Sequence, residues 1–100
     1  MNAKDIAAKA AELVSGDRDK THGDKVQNHE NIAALWEAYL RQKVLSGGEM
    51  RINALDAANM MELLKVARRL SGCHNMDDYT DGAGYAAVAG EIAERLQQKD

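Results

Sequence analysis

The sequence is poor in several residue types, and each shortage narrows the fold class. Its 100 residues contain no proline, no phenylalanine, one cysteine, one tryptophan and three tyrosines. A lone cysteine, Cys73, excludes an internal disulfide framework and is typical of a reducing compartment. Because β-branched residues are also sparse, the composition favours helices over sheet. Alanine, leucine, methionine and valine must therefore fill most of the core.

The sequence also lacks long hydrophobic runs and basic clusters. No apolar stretch approaches the length of a membrane span, and the N-terminal segment "MNAKDIAAKAAELV" has no signal-peptide hydrophobic region. The net charge is −3 with both signs interspersed, and Arg68-Arg69 is the longest basic cluster. These features argue against a nucleic-acid-binding surface and against a membrane-bound protein. We expect a soluble, cytoplasmic protein.

Hydrophobic periodicity predicts four helices. The first begins at Asn2, an N-cap with Asp5 three residues later, and ends at Gly16. Residues 17–24 contain no hydrophobic side chain and are predicted to form a loop. The second helix spans about residues 26–45 and ends at the Ser-Gly-Gly sequence that follows.

The other two helices begin after asparagine caps. Asn53 precedes the third helix, and Asn75 precedes a fourth that extends to about Gln98. The prediction is an all-α, four-helix bundle-like single domain over residues 1–100, with an N-terminal helix at 1–16 and a three-helix core at 26–98. We also expect a homo-oligomer, because a chain this short often gains core by self-association.

Carboxylates cluster at the start of the fourth helix, in the segment "DDYTDGAGYAAVAGE". On a helical projection, Asp78 and Asp81 lie in the apolar stripe that is formed by Tyr85, Val88, Ile92 and Leu96. Inward-facing carboxylates are costly unless they are paired or bind a metal, and oxygen ligands three residues apart suit Mg²⁺. The alternative is that these acids stabilise the helix dipole and have no further role.

The same fourth helix carries a line of small residues, Gly82, Ala86 and Gly90. Such a line lets another helix backbone approach closely. We therefore expect this helix to be buried on more than one side, or to offer the line as an oligomer interface.

The third helix carries a polar set that complements those acids. Asn59 and Glu62 are three residues apart, and Lys65 and Arg69 follow on the same side. One interpretation is a solvated face with local ion pairs. The other is a ligand pair that faces the fourth-helix acids, with Lys65 or Arg69 contacting a phosphate.

Together these residues form the pattern Asn59-x-x-Glu62, fifteen residues, then Asp78-x-x-Asp81. The pattern resembles the E-x-x-E…E-x-x-D arrangement of the MazG-like all-α NTP pyrophosphatases. The resemblance implies a Mg²⁺ site at Asn59, Glu62, Asp78 and Asp81, with Glu62 and Asp81 catalytic and Lys65 a phosphate contact. It implies hydrolysis of a nucleoside triphosphate between the α- and β-phosphates. Asn59 departs from the pattern, because its amide brings no charge to a metal and cannot act as a base.

A second resemblance covers roughly residues 18–93. The segments "RDKTHGDKVQNHENIAALWEAYL", "DAANMMELLKVARRL" and "DDYTDGAGYAAVAGEIA" resemble a family of small phage and prophage proteins of unassigned function. This resemblance implies a phage or prophage origin, and hence the host cytoplasm, but it implies no reaction.

Further candidate ligand contacts lie outside that motif. Arg18 and His22 fall in the loop, where they either form a polar connector or fold over the bundle end to contact a phosphate. Asn28 projects onto an apolar face and needs a polar partner there. Tyr85 and Arg69 complete the predicted substrate-binding set. Trp36 is expected in the core, and the scattered histidines and single cysteine have no zinc-type spacing.

Three functional hypotheses follow from these patterns. The first is a nucleotide-binding protein, with Mg²⁺-dependent NTP pyrophosphohydrolase activity as its more specific form. The second is a phage accessory protein that binds a nucleotide or a host protein without chemistry, which the asparagine at position 59 favours. The third is a structural helical oligomer, in which the fourth-helix carboxylates would be exposed or paired with Lys65, Arg68 or Arg69.

Overall fold

The structure, a computed structural model, describes residues 1–15, 24–70 and 72–98. These ranges form four helices and contain no strand: α1 (Ala3–Ser15), α2 (Lys25–Leu45), α3 (Ala54–Arg68) and α4 (Met76–Gln98). The all-α prediction is therefore confirmed for the described part of the chain. The predicted stop at Gly16 and most of the predicted loop lie outside it.

Asparagine side chains begin three of the helices, as the sequence predicts. Before α1, Asn2 and Asp5 bond reciprocally: the Asp5 N–H donates to Asn2 Oδ1 at 2.9 Å, and the Asn2 N–H donates to Asp5 Oδ2 at 3.2 Å. Asn53 and Asp56 form the same capping box before α3. The Asn75 side chain accepts a backbone hydrogen bond at the start of α4. Each cap satisfies backbone donors that the first turn leaves without helical partners.

The helix α2 has a capped start and a glycine stop. Asp24 accepts a hydrogen bond from the Gln27 N–H at 2.9 Å. After the C-cap residue Ser46, Gly47 has φ of +94°, a left-handed conformation that glycine adopts without a Cβ penalty. This turn fixes where the chain leaves α2 on its way to α3.

The helix α3 lies at the centre of the described fold, with α2 and α4 each packed against it. The buried hydrophobic side chains are few and mostly small: Ile32, Ala58, Met60, Ala67 and Ala89. Trp36 is half-buried, and its indole N–H donates to the Met60 carbonyl at 2.6 Å, which ties α2 to α3. The core is therefore a pair of helix–helix contacts along α3.

The predicted apolar stripe of α4 is only partly buried. Val88 and Leu96 are 48% and 39% exposed, whereas the most buried residues of α4 are Asp78, Gly82 and Ala89. Asp78 and Gly82 are about one turn apart and Ala89 follows about two turns later on the same side of the helix, where small side chains let α3 approach. The expectation of burial on several sides of α4 is not met in the single chain, because Ala86 and Gly90 of the small-residue line are exposed.

None of the helices in the described ranges combines the length and apolar character that a membrane span requires.

Candidate functional site

A polar cluster connects α2 to the start of α3; we call Tyr39, Lys43, Asp56 and Asn59 the α2–α3 clasp. The Asp56 side chain is almost fully buried, and Lys43 Nζ lies 2.5 Å from its Oδ2 atom. The Tyr39 hydroxyl donates to Asp56 Oδ1 at 2.9 Å, and the Asn59 amide donates to the Tyr39 oxygen at 3.0 Å. Lys43 also donates to the Arg51 carbonyl at 2.8 Å. Two side chains of α2, Tyr39 and Lys43, therefore satisfy a buried carboxylate of α3.

The clasp shifts the pKa values of its two acids in opposite directions. Burial raises the pKa of Asp56, but the hydrogen bonds from Lys43, the Asn53 backbone and Tyr39 outweigh burial and lower it below the ordinary value of 3.8. Burial raises the pKa of Tyr39 above 10.0, against the lowering effect of its hydrogen bond with Asn59. Asp56 is thus an anion and Tyr39 a neutral donor around neutral pH.

The clasp also determines the direction of Asn59. Its amide is engaged with Tyr39 and so points toward α2. On a helical projection Glu62 lies about 60° from Asn59 and about 60° from Lys65, between the α2 side and the α4 side of α3. Glu62 is half-buried there. The structure therefore does not turn the predicted Asn59-x-x-Glu62 pair as a unit toward α4.

A second cluster lies where α3 meets the first turns of α4; we call Lys65, Arg69, Asp78 and Asp81 the α3–α4 seam. Lys65 Nζ lies 3.1 Å from Asp81 Oδ2, and the Lys65 side chain is 13% exposed whereas that of Asp81 is 52% exposed. The ion pair thus joins a largely covered ammonium group to a carboxylate that solvent reaches. The sequence placed Asp81 facing inward, and the structure leaves half of its side chain open.

Arg69 crosses the same seam one turn later. Its guanidinium carbon lies 4.4 Å above the centre of the Tyr79 ring, and Nη2 donates to the Asp78 carbonyl at 3.2 Å. A side chain at Gly82 would collide with the Arg69 Nη2 atom, so the glycine makes room for the guanidinium. A glycine rather than a larger residue is therefore what lets Arg69 lie across α4.

Asp78 is 3% exposed, in agreement with the inward direction that the sequence predicts for it. Within the part of the chain that the structure describes, no group of three His, Cys, Asp or Glu side chains is arranged to hold a metal ion. Glu62, Asp78 and Asp81 consequently do not form a three-acid metal centre in this conformation. The Mg²⁺ site therefore stays a prediction. Two cationic side chains, Lys65 and Arg69, lie beside its predicted acidic ligands.

The remaining predicted contacts are not gathered at one place. Tyr85 is half-buried on α4, one turn after Asp81, while Asn28 is half-buried in the first turn of α2. Arg18 and His22 lie outside the described residues. Of the ten predicted site residues, the structure brings together Lys65, Arg69, Asp78 and Asp81 at the α3–α4 seam.

Sequence reasoning missed the α2–α3 clasp. In the sequence, Asp56 falls in the first turn of α3, where a carboxylate stabilises the helix dipole, and Tyr39 falls in an apolar stripe of α2 with Ile32, Leu35 and Trp36. Two signals were present: the Tyr39 hydroxyl within that stripe needed a partner, and Lys43 follows it by one helical turn. Neither signal names Asp56, because the contact joins residues that are seventeen positions apart.

Comparison with known proteins places these features in a family. Residues 5–93 match the family model described as "Domain of unknown function (DUF6378)". The chain belongs to the DUF6378 family. The match contains α2, α3, most of α4 and both polar clusters, so the clasp and the seam both lie within the DUF6378 domain. No solved structure matches this chain.

Two curated phage proteins are similar to this DUF6378 chain. The "Gene 55 protein" of Mycobacterium phage L5 is 40% identical over 83 residues, which is 83% of this chain and 49% of the relative. The "Gene 55 protein" of Mycobacterium phage D29 is 35% identical over 92 residues, 92% of this chain and 56% of the relative. The chain thus spans about half the length of the curated relatives it matches.

These comparisons support one of the two resemblances and give no support to the other. The similarity to phage proteins of unassigned function is confirmed. The matched family description and the names of the two relatives give no support to the MazG-like resemblance or to nucleotide binding. Both stay predictions, to be judged on the chemistry of the α3–α4 seam.

Proposed function

We propose that the DUF6378 domain binds a nucleoside triphosphate as its Mg²⁺ complex at the α3–α4 seam. The observation that carries the proposal is the pairing of Lys65 with Asp81 beside Arg69. An ammonium and a guanidinium one helical turn apart suit two neighbouring phosphates, since both donate charge-assisted hydrogen bonds. The half-exposed Asp81 carboxylate is accessible to a ligand from solvent.

The charge of the seam favours a metal-complexed nucleotide over a free one. Lys65 and Arg69 bring two positive charges to the seam. Asp78 and Asp81 of the seam, with Glu62 on the neighbouring side of α3, bring three negative charges when ionised. A free triphosphate would be repelled by the carboxylates, whereas a Mg²⁺ complex has a cation for them to contact. Mg²⁺ is commonly bound through one or two carboxylates plus substrate phosphates, so a three-acid centre is not required.

The finer proposal is a MazG-like pyrophosphohydrolase activity. Asp81, with Glu62, would hold the metal, which when bound supplies charge neutralisation at the phosphates and lowers the pKa of a coordinated water. Lys65 and Arg69 would orient the α- and β-phosphates for attack by water, and one of the two carboxylates, Glu62 or Asp81, would accept its proton. Tyr85, one turn beyond Asp81, would contact the nucleoside.

A second candidate function is binding of a partner without chemistry. It is favoured by Asn59, whose amide is committed to Tyr39 and brings no carboxylate to the seam. In this case the bound species is a nucleotide or a host protein that remains unchanged. The Lys65–Asp81 pair instead favours the third hypothesis, a structural helical oligomer, in which the seam is an ion-paired helix contact.

Calorimetric titration with and without Mg²⁺, over a panel of NTPs and dNTPs, tests the first proposal, and pyrophosphate release tests the finer one. We expect Asp81→Asn to weaken binding of the Mg²⁺ complex by about tenfold or more, because a metal contact is removed. Asp77→Asn is the matched control: this residue is exposed in the same first turns of α4 and is not part of the seam.

The outcomes separate the candidates. Binding with pyrophosphate release supports the hydrolase, and binding without release supports the non-enzymatic nucleotide-binding protein. If no nucleotide binds, or if Asp81→Asn and Asp77→Asn behave alike, the seam is not a nucleotide site.

A further inference from the structure

The helices α2, α3 and α4 form one layer, with α2 and α4 each packed against α3 and no comparable contact between these two or with α1. Domains bury their cores between two packed layers, because one row of helices leaves apolar side chains open to water. That cost is visible along α3, where the apolar residues Met61, Leu63, Leu64 and Val66 are only partly buried. The layer therefore has apolar surface that needs a cover.

The accessible surface area of the chain is larger than that of a compact monomer of the same mass. A compact monomer of 10.9 kDa is expected to expose about 5,600 Å², and this chain exposes 7357 Å². The excess of about 1,800 Å² is more than the roughly 800 Å² that each partner contributes to a standard protein interface. The radius of gyration, 16.3 Å, likewise exceeds the about 13 Å of a compact 100-residue domain.

The helix α1 is the matching feature. Ile6, Ala10 and Leu13 lie on one side of it at helical spacing, and every residue from 3 to 13 is exposed. Ile6 and Leu13 are 55% and 53% exposed, which is unusual for the apolar stripe of a strongly amphipathic helix. The same chain thus has a helix whose apolar stripe contacts no other helix, and a layer of helices with no second layer packed on it.

We propose that a second copy of the chain covers the exposed apolar surface. In this dimer, α1 of each copy packs on the layer that α2, α3 and α4 form in the other copy. A reciprocal exchange about a two-fold axis satisfies both features at once, because each copy supplies what its partner lacks. Mixed charge on α1, with Lys4, Asp5, Lys9 and Glu12 outside the apolar stripe, presents no single-sign field to oppose the pairing of identical chains. The inference is independent of the proposed nucleotide site.

Sedimentation equilibrium of the full chain, over about 1–100 µM, tests the pairing. We expect twice the monomer mass, and we expect Leu13→Glu to raise the dimer dissociation constant at least about tenfold, because a charge replaces a buried side chain at the interface. Ala8→Glu is the matched control: it adds the same charge to the opposite side of α1, and should leave the constant unchanged.

Two results would overturn the proposal: a monomer across the whole concentration range, or equal weakening by Leu13→Glu and Ala8→Glu. Circular dichroism of each variant keeps the test decisive, because Leu13 is already half-exposed in one chain and its replacement should leave helical content intact. Ile6→Glu repeats the test from the other end of the stripe and should behave as Leu13→Glu does.

Discussion

The Asp56 carboxylate accepts hydrogen bonds from Tyr39 and Lys43 of α2 and from the Asn53 backbone N–H, which closes the capping box of α3. A buried carboxylate with this many donors is stabilising only while they all remain, since removal of one partner leaves the others buried without a counter-charge. The clasp therefore makes the α2–α3 contact depend on one residue. Tyr39 and Lys43 have no other side-chain acid partner among the interactions described.

We predict that Asp56→Ala lowers the free energy of unfolding by about 3 kcal/mol, because the cap and the charged hydrogen bonds are both lost. Urea denaturation measures the change. Glu37→Ala is the control: Glu37 pairs with Arg41 at 2.8 Å but both side chains are mostly exposed, so we expect a loss of less than about 0.5 kcal/mol. Equal losses in the two variants would contradict this role for Asp56.

The lowered pKa of Asp56 predicts a pH dependence with a definite sign. A group whose pKa is lower in the folded state contributes stability above its unfolded pKa and loses it as pH falls through the folded value. Wild-type stability should therefore fall as pH drops below about 3.8, and the difference between wild type and Asp56→Asn should shrink there. Denaturation curves at a series of pH values would contradict this if the difference stayed constant.

At the scale of elements, α4 combines glycines with different surroundings. Gly82 is buried against Arg69, whereas nothing lies within 4 Å of the position a side chain would take at Gly84. Glycine inside a helix costs about 1 kcal/mol relative to alanine. The two positions therefore separate a glycine that packing requires from one that it does not.

We predict that Gly84→Ala raises the free energy of unfolding by up to about 1 kcal/mol through helix propensity. Gly82→Ala should gain less or lose stability, because the Arg69 guanidinium must leave Tyr79 and the Asp78 carbonyl to make room. Thermal unfolding of both variants provides the comparison. A larger gain at Gly82 than at Gly84 would contradict the packing described for the seam.

The helices themselves were predictable from local signals. Asn2, Asn53 and Asn75 marked helix starts correctly, because capping is a contact between residues two or three positions apart. Burial was less predictable. The stripe drawn through Val88 and Leu96 is substantially exposed, since periodicity gives a helix an apolar side but not the position of the helix that covers it.

The candidate site was likewise predictable only in part. Lys65 pairs with Asp81, and Arg69 donates to the Asp78 carbonyl. Pairing of these carboxylates with cations of the third helix is what the sequence predicts for a structural helical oligomer, and an antiparallel pair of helices with a short connection brings such residues together. Asn59 does not join them, since its amide bonds to Tyr39 of α2. Because Tyr39 lies on α2, no pattern within α3 and α4 could identify this partner.

At the scale of the whole molecule, the two polar clusters have different exposure. The α2–α3 clasp is built around a buried, fully bonded carboxylate, and its role is to hold two helices together. The α3–α4 seam has a half-exposed carboxylate and two cations, and so retains charge that a ligand can reach. This contrast is why we assign stability to the first cluster and propose ligand binding at the second.

The central claim, that the α3–α4 seam is the nucleotide site, is tested most directly by amide chemical shifts. Spectra of the ¹⁵N-labelled chain would be recorded while Mg²⁺–ATP and Mg²⁺–dNTPs are added to about millimolar concentration. The account predicts saturable shifts concentrated in residues 62–69 and 78–85, with little change at Tyr39 and Lys43 in the clasp. Shifts confined to α1 or to the clasp, or no saturable shift with any nucleotide, would contradict it.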